Sequence, residues 1–181
     1  IYGERIHEAL EHRLESKVEL PKESEGYEVL CRSIEKTAKG GALLVEQKLT
    51  LNEDLTPTGW WDGDAWVRSI LDVLVLHSNT AVVMDWKTGK RRPDFTQLEL
   101  FALQVFSHFP EINTVKSSFL WLKDMQMDSK IYHRDELGSM WGNLLQRISR
   151  IEQSLAHDKW PPKPSGLCNY CPAKNICEYA Q

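Results

Sequence analysis

Residues 69–90 read SILDVLVLHSNTAVVMDWKTGK, two runs rich in Val, Ile and Leu on either side of a Ser-Asn turn, and this stretch decides the fold. SILDVLVL and TAVVMDWK each have the length and composition of a strand, and the short polar link between them reads as a hairpin. ALLVEQKLTL at 42–51 supplies a strand before them, so three strands follow one another, read as an antiparallel meander. In that hairpin Asp72 and Asp85 come from neighbouring strands and converge at one end of the sheet. Lys87 follows two positions after Asp85, on the same strand face.

Each aspartate is surrounded in sequence by aliphatic residues, where an unpaired charge is expensive to hold. Two hard oxygen donors of this kind suit Mg²⁺ or Mn²⁺, and a lysine beside them could position a water and offset charge on a phosphodiester. Taken alone, a D-x-K triplet reads more readily as a buried Asp–Lys ion pair at a strand end, or as polar residues on a solvated face. Directly after it, Lys90, Arg91 and Arg92 continue the positive charge in KTGKRRPD. That run suits contact with phosphates without base reading, and its plainer reading is a solvated turn.

Outward from the hairpin, ERIHEALEHRLE at 4–15 spaces Ile6, Leu10 and Leu14 as an amphipathic helix, and a second helix is expected over about 24–38, ending at Gly40-Gly41. Pro93 and Asp94 mark the start of a helix in which Leu98, Phe101, Ala102, Val105 and Phe106 share a face. TVKSSFLWL reads as a fourth strand, and KIYHR as an extension of the sheet beyond a polar KDMQMD turn. Residues 134–157 form a long predicted helix with Leu137, Met140, Trp141, Leu144, Leu145, Ile148, Ile151 and Leu155 along it. A proline-rich extended tail follows.

With 181 residues, 41% hydrophobic and 27% charged, the chain fits one soluble domain with a sizeable core, which excludes disorder and collagen-like repeats. No apolar run approaches the roughly 20 residues of a membrane helix, and the N-terminus lacks the pattern of a secretory signal. A cytoplasmic protein is expected. Because residue 1 is Ile rather than Met, the chain is expected to be a trimmed piece. A formal charge of −4 argues weakly against coating of nucleic acid by the whole surface. It does not exclude a nucleic-acid enzyme, since bound metal ions reverse the sign of an acidic site.

Cys168, Cys171 and Cys177 form C-x2-C-x5-C, which reads as a ligand set for a metal or cluster. Three thiolates are one short of a complete cage. Cys31 is the only other cysteine, and its neighbours Leu30 and Ile34 mark it as core. A reduced or zinc-bound clasp is the plainer reading of the tail. His12, His77, His108, His133 and His157 read as surface or structural residues, and the seven tryptophans as packing residues.

The motifs GERIH, LVEQKL, SILD, VVMDWKTGK, QLELF and CNYCPAKNIC, in that order, resemble the RecB-like branch of the PD-(D/E)XK nuclease superfamily over essentially the whole chain. That branch includes CRISPR-associated RecB-like exonucleases and phage and prophage nucleases. The resemblance implies an α/β, restriction-endonuclease-like αβββαβ core with a mixed central sheet flanked by helices. It would span 1–157, with the tail 158–181 packed on the same domain. It further implies that His7, Asp72, Asp85 and the Trp86 carbonyl hold two Mg²⁺ or Mn²⁺ ions, and that Lys87 is the catalytic lysine. Gln97 would orient Lys87 or the substrate phosphate, and Glu46 would be auxiliary. The tail would carry a [4Fe-4S] cluster whose fourth cysteine lies upstream of residue 1, with zinc as the alternative.

The implied activity is a metal-dependent DNA nuclease, as an exonuclease first, acting on single-stranded or free-ended DNA in recombination, repair or phage DNA processing. Helicase or recombination proteins are the implied partners, in a bacterial or phage-infected cell. The rival readings are a non-catalytic nuclease-like DNA-binding subunit and a zinc-clasped interaction domain. Two departures stand out: Phe101 where many RecB-like enzymes have tyrosine, and Leu71 rather than proline before Asp72.

Overall fold

The apolar alternation that begins at Ala42 builds β1 (Ala42–Leu51), β2 (Val67–Leu76) and β3 (Thr80–Lys87), each pairing antiparallel with the next. The computed structural model describes residues 2–180, and contacts divide the chain into two compact units at the Met140–Trp141 boundary. In the first unit, α1 (Tyr2–Ser16) and α2 (Glu28–Thr37) precede the sheet. α3 (Phe95–His108) crosses from β3 to β4 (Thr114–Trp121), and β5 (Gln126–His133) closes the edge. A helical crossover returns the chain in the same direction, so β3 and β4 pair in parallel within a sheet of order β1-β2-β3-β4-β5. This is the expected mixed sheet flanked by helices.

The helices are held by the faces their sequences specify. Ile6, Leu10 and Leu14 of α1 pack with Cys31 and Ile34 of α2 and with Val73, Val75, Met84 and Trp86 of the sheet. Leu98, Phe101, Ala102, Val105 and Phe106 of α3 are buried, and Asp94 caps that helix by accepting from the Thr96 amide. Arg13 of α1 ties the two N-terminal helices together through Glu28 (2.7 Å) and Glu35 (2.9 Å).

One expectation about the C-terminal part needs correction. β5 begins at Gln126, inside the stretch read as a turn, because an edge strand needs few apolar residues; of its eight residues only Tyr132 is buried. The helix after it, α4 (Leu137–His157), forms as expected, but only Met140 and Trp141 of its apolar residues are buried, while Leu145, Ile151 and Leu155 are exposed. The segment after α4 carries two short 3-10 turns, Gly166–Tyr170 and Lys174–Ile176.

Candidate active site

The β2–β3 ladder runs from Leu76↔Ala81 to Val73↔Met84 and stops one step before the two aspartates. Where the next pair would be, the Trp86 amide donates to Asp72 Oδ2 at 2.6 Å, so a side chain replaces a ladder bond. The β1–β2 ladder is interrupted at the same level: Val45↔Val73 and Gln47↔Leu71 pair, and between them Glu46 stands opposite Asp72 with φ of +49. Left-handed backbone at a non-glycine residue is costly and concentrates at functional sites.

Opposite this kink the alternation of side chains on β2 is broken. Val73 belongs to the core beneath α1 and α2, yet its neighbour Asp72 also lies on the α1 side, lining a cleft with Ile70, Glu46 and His7. The cleft holds about 490 Å³, and Gly3, Glu8, Glu11 and Thr88 complete much of its wall.

Asp85 is 6% exposed and Asp72 7%. Lys87 Nζ lies 2.7 Å from Asp85 Oδ2 and 5.1 Å from the Phe119 ring centroid. Asp85 Oδ2 is a buried oxygen whose partner among the described residues is the Lys87 ammonium. Gln97 Nε2, on the first turn of α3, is 3.4 Å from Asp85 Oδ1. His7 Nδ1 is 3.6 Å from Asp72 Oδ1, an ion-pair distance longer than a normal hydrogen bond.

Burial and the nearby Asp72 charge push the Asp85 carboxyl up to about 6, against the opposing pull of Lys87. Burial, Asp72 and Glu11 push Glu46 up to about 7. The Asp72 carboxylate raises the His7 imidazole above its ordinary value despite partial burial. Burial first and neighbouring negative charge second raise the two carboxyl groups, whereas the imidazole is raised by negative charge against the pull of burial.

His7, Glu46, Asp72, Asp85, Lys87 and Gln97 therefore gather at one place, and Trp86 joins them through its backbone. The basic run divides. Lys90 and Arg92 are exposed, whereas Arg91 forms a two-point ion pair with Asp128 of β5 through Nε (2.8 Å) and Nη2. Asp128 also accepts from Trp121 Nε1 at 2.8 Å. Sequence reasoning missed Asp128, since nothing local announces a partner on an edge strand.

It also missed Gly3, where a Cβ would meet Thr88 Oγ1 at 2.8 Å. The glycine lets α1 approach the end of β3, and its position four residues before His7 in GERIH was the available signal. Cys31 is fully buried with its thiol pushed up to about 11, consistent with core. Cys168 is partly buried, Cys171 and Cys177 are exposed, and all are free thiols.

Among the described residues no three His, Cys, Asp or Glu side chains are drawn together as a ready-made metal cage, in the cleft or in the tail. The cleft nevertheless fits a hard divalent ion in its donor chemistry. It offers carboxylate oxygens and an imidazole, one buried oxygen is met only by the Lys87 ammonium, and burial together with mutual repulsion raises two carboxyl groups. A cation is the species that relieves such repulsion.

A fold of this topology, with the D-x-K triplet on its central hairpin, defines a class, and comparison with known families agrees. The chain belongs to the PD-(D/E)XK nuclease superfamily, whose profile matches residues 1–178. No curated protein sequence matches it. Among solved structures it is similar to the protein SSO0001, with 14% identity, a TM-score of 0.40, and coverage of 97% of this chain and 83% of that one. It is also similar to a "putative exonuclease" from Eubacterium rectale, with 14% identity, a TM-score of 0.47, and coverage of 94% and 72%. No helix among the described residues is long and apolar enough to cross a membrane.

Proposed function

We propose that this chain is a divalent-metal-dependent deoxyribonuclease of the RecB-like branch, working as an exonuclease on single-stranded or free-ended DNA. The observation that carries the reading is the meeting of Asp72, Asp85, Lys87 and His7 where the β2–β3 ladder opens. His7, Asp72 and Asp85 would hold Mg²⁺ or Mn²⁺, with Glu46 and the Trp86 carbonyl as auxiliary oxygen donors. Bound there, such ions supply Lewis-acid stabilisation of the phosphoryl oxygens and a more acidic water.

The remaining work belongs to the chain. Lys87, fixed by Asp85 and the Phe119 ring, is positioned to orient the attacking water and to offset charge as the phosphorus becomes five-coordinate. Gln97 steadies Asp85 from α3. Water adds to phosphorus, the bond to the 3′ oxygen breaks, and the products are a 3′ hydroxyl and a 5′ phosphate. Lys90 and Arg92 would contact the DNA backbone, while Arg91 serves first to fasten that loop to Asp128.

The cysteines at 168, 171 and 177 are proposed as ligands of zinc or of an iron–sulfur cluster, completed by a fourth donor. A cytoplasmic role in recombination, repair or phage DNA processing beside a helicase or recombinase follows from the same reading. End-group analysis of products from parent and Asp85→Asn tests it. Metal-dependent release of 5′-phosphorylated nucleotides by the parent, lost in the variant, is expected. A parent that binds DNA and never cleaves it would be a non-catalytic subunit.

A further inference from the structure

The β1–β2 loop, residues 52–66, holds three tryptophans, of which Trp60 and Trp66 are half-buried and Trp61 is left without packing. Trp61 is 86% exposed, and its ring meets that of Trp60 edge-on at 90°, with centroids 6.4 Å apart. Lys48 Nζ lies over the Trp60 ring, 5.5 Å from its centroid. Arg68 Nε donates to the Trp60 carbonyl at 2.7 Å, and its other N–H groups make no bond among the described residues. An indole left in water at the tip of a soluble domain invites a partner that offers a flat apolar face.

The loop is rigid. Thr58 N donates to the Thr50 carbonyl at 3.1 Å and Trp66 N to the Leu51 carbonyl at 2.9 Å. Of its four acidic residues two are turned to construction, Asp62 accepting from the Gly59 amide at 2.8 Å and Asp64 from the Thr58 hydroxyl at 2.8 Å, while Glu53 and Asp54 are exposed earlier in the loop. Fixed in this way, the rings lose little conformational freedom when something stacks on them.

The position of the loop says what that partner is. Asp72 and Ile70 both line the cleft, and Arg68, two residues further on and exposed, continues the same face of β2. Lys48 pairs directly with Ile70 across the β1–β2 ladder. A track therefore leads from the carboxylates over Ile70 to Lys48, Arg68 and the tryptophans, about 14 Å along the strand from Asp72 to Arg68. Glu8 and Glu11 make the cleft wall acidic, so a polyanion needs its foothold outside the cleft. Two cations beside two indoles provide one, and this pairing of charge with stacking surface matches unpaired bases on a phosphate chain.

We propose that Trp60 and Trp61, with Lys48 and Arg68, form a stacking platform for single-stranded DNA that leads the strand to the cleft. The assignment rests on the nuclease reading for its direction, but not for its existence. Duplex DNA hides its base faces, so the platform selects single strands. Only two cations take part, so the salt dependence of their contribution is shallow, with a slope in log–log form of about −1.4.

The test is fluorescence anisotropy of a labelled 12-nucleotide oligothymidine and of a 12-base-pair duplex, in EDTA to prevent cleavage, with the full chain and its Trp61→Ala and Trp61→Phe variants. Trp61→Ala is expected to weaken oligothymidine binding about 5- to 100-fold, Trp61→Phe to restore most of it, and duplex affinity to stay constant. Equal oligothymidine affinity in parent and Trp61→Ala would overturn the platform, as would no measurable parent binding. An equal loss on duplex, or a Trp61-dependent dimer in sedimentation, would also overturn it. A parent that never cleaves DNA yet shows the Trp61-dependent pattern keeps the platform and loses the nuclease. A parent that cleaves DNA with Trp61-independent binding does the reverse.

Discussion

The amide of Trp86 donates a 2.6 Å hydrogen bond to Asp72 Oδ2, joining β2 to β3 at the level where their ladder has stopped. This bond fixes one oxygen of Asp72 and leaves the other beside His7. It also sets Asp72 next to the strand that carries Asp85, so the two carboxylates repel in a buried place. The site is thus built from a deliberate failure of strand pairing.

Asp72→Asn keeps an oxygen for the Trp86 amide and removes the charge. In the parent, millimolar Mn²⁺ is expected to raise the melting temperature, because a ligand that binds only the folded state stabilises it by mass action. The variant is expected to fold and to lose that rise. The rise in the parent should also grow between pH 5.5 and 8, since the ligands bind as carboxylate and neutral imidazole. Differential scanning fluorimetry with and without Mn²⁺ measures both, and an undiminished rise in Asp72→Asn would count against the ligand assignment.

The raised carboxyl groups make a signed statement about stability in EDTA. Asp85 and Glu46 hold protons more tightly folded than unfolded, so their contribution is complete below about pH 4. It is lost as pH rises through about 6 for Asp85 and about 7 for Glu46. Glu46→Gln removes the charge that becomes unfavourable. Its gain at pH 8 is expected to be about 1 kcal/mol after allowance for partial solvation, and close to nothing at pH 4. Urea unfolding at the two pH values checks this; a gain of the same size at both would contradict the electrostatic origin.

Leu10 is fully buried where α1 meets the sheet, one turn beyond His7. Leu10→Ala is expected to cost about 2–5 kcal/mol in urea denaturation. Glu8→Ala, on the exposed side of the same helix, should change stability by no more than about 0.5 kcal/mol. The contrast measures how firmly the helix carrying His7 is anchored.

Thiol chemistry separates the cysteines. In metal-free native protein Cys168, Cys171 and Cys177 are expected to react rapidly with an aromatic disulfide reagent, and Cys31, buried with its thiol pushed up to about 11, only after denaturation. Four fast thiols would mean that the α1–α2 core opens readily.

Much of this was legible because local pattern and packing agree. The spacing of Ile6, Leu10 and Leu14 gave a helix and its buried face, and SILDVLVL and TAVVMDWK gave a hairpin that brings Asp72 towards Asp85. Glu46 was known only by its resemblance to a family position. The left-handed backbone that places it opposite Asp72 has no local signature, because Glu is among the residues least suited to it. The period of α4 foretold a helix over Leu137–His157 but not its exposure, since amphipathicity announces a face and not what covers it. Arg91 read as a phosphate contact until Asp128, 37 residues away, stood beside it. Trp61 read as core by residue type, and only the fold puts it in water.

The central claim is that Lys87 acts on a phosphodiester held at Asp72 and Asp85. Its most direct test is the cleavage rate of end-labelled single-stranded and duplex DNA in Mg²⁺ or Mn²⁺, for the parent and for Lys87→Met shown to be folded by its urea transition. Cleavage by the parent that stops in EDTA is expected, with a rate at least about 100-fold lower in the variant. Equal rates for the two proteins, or cleavage that continues in EDTA, would contradict it.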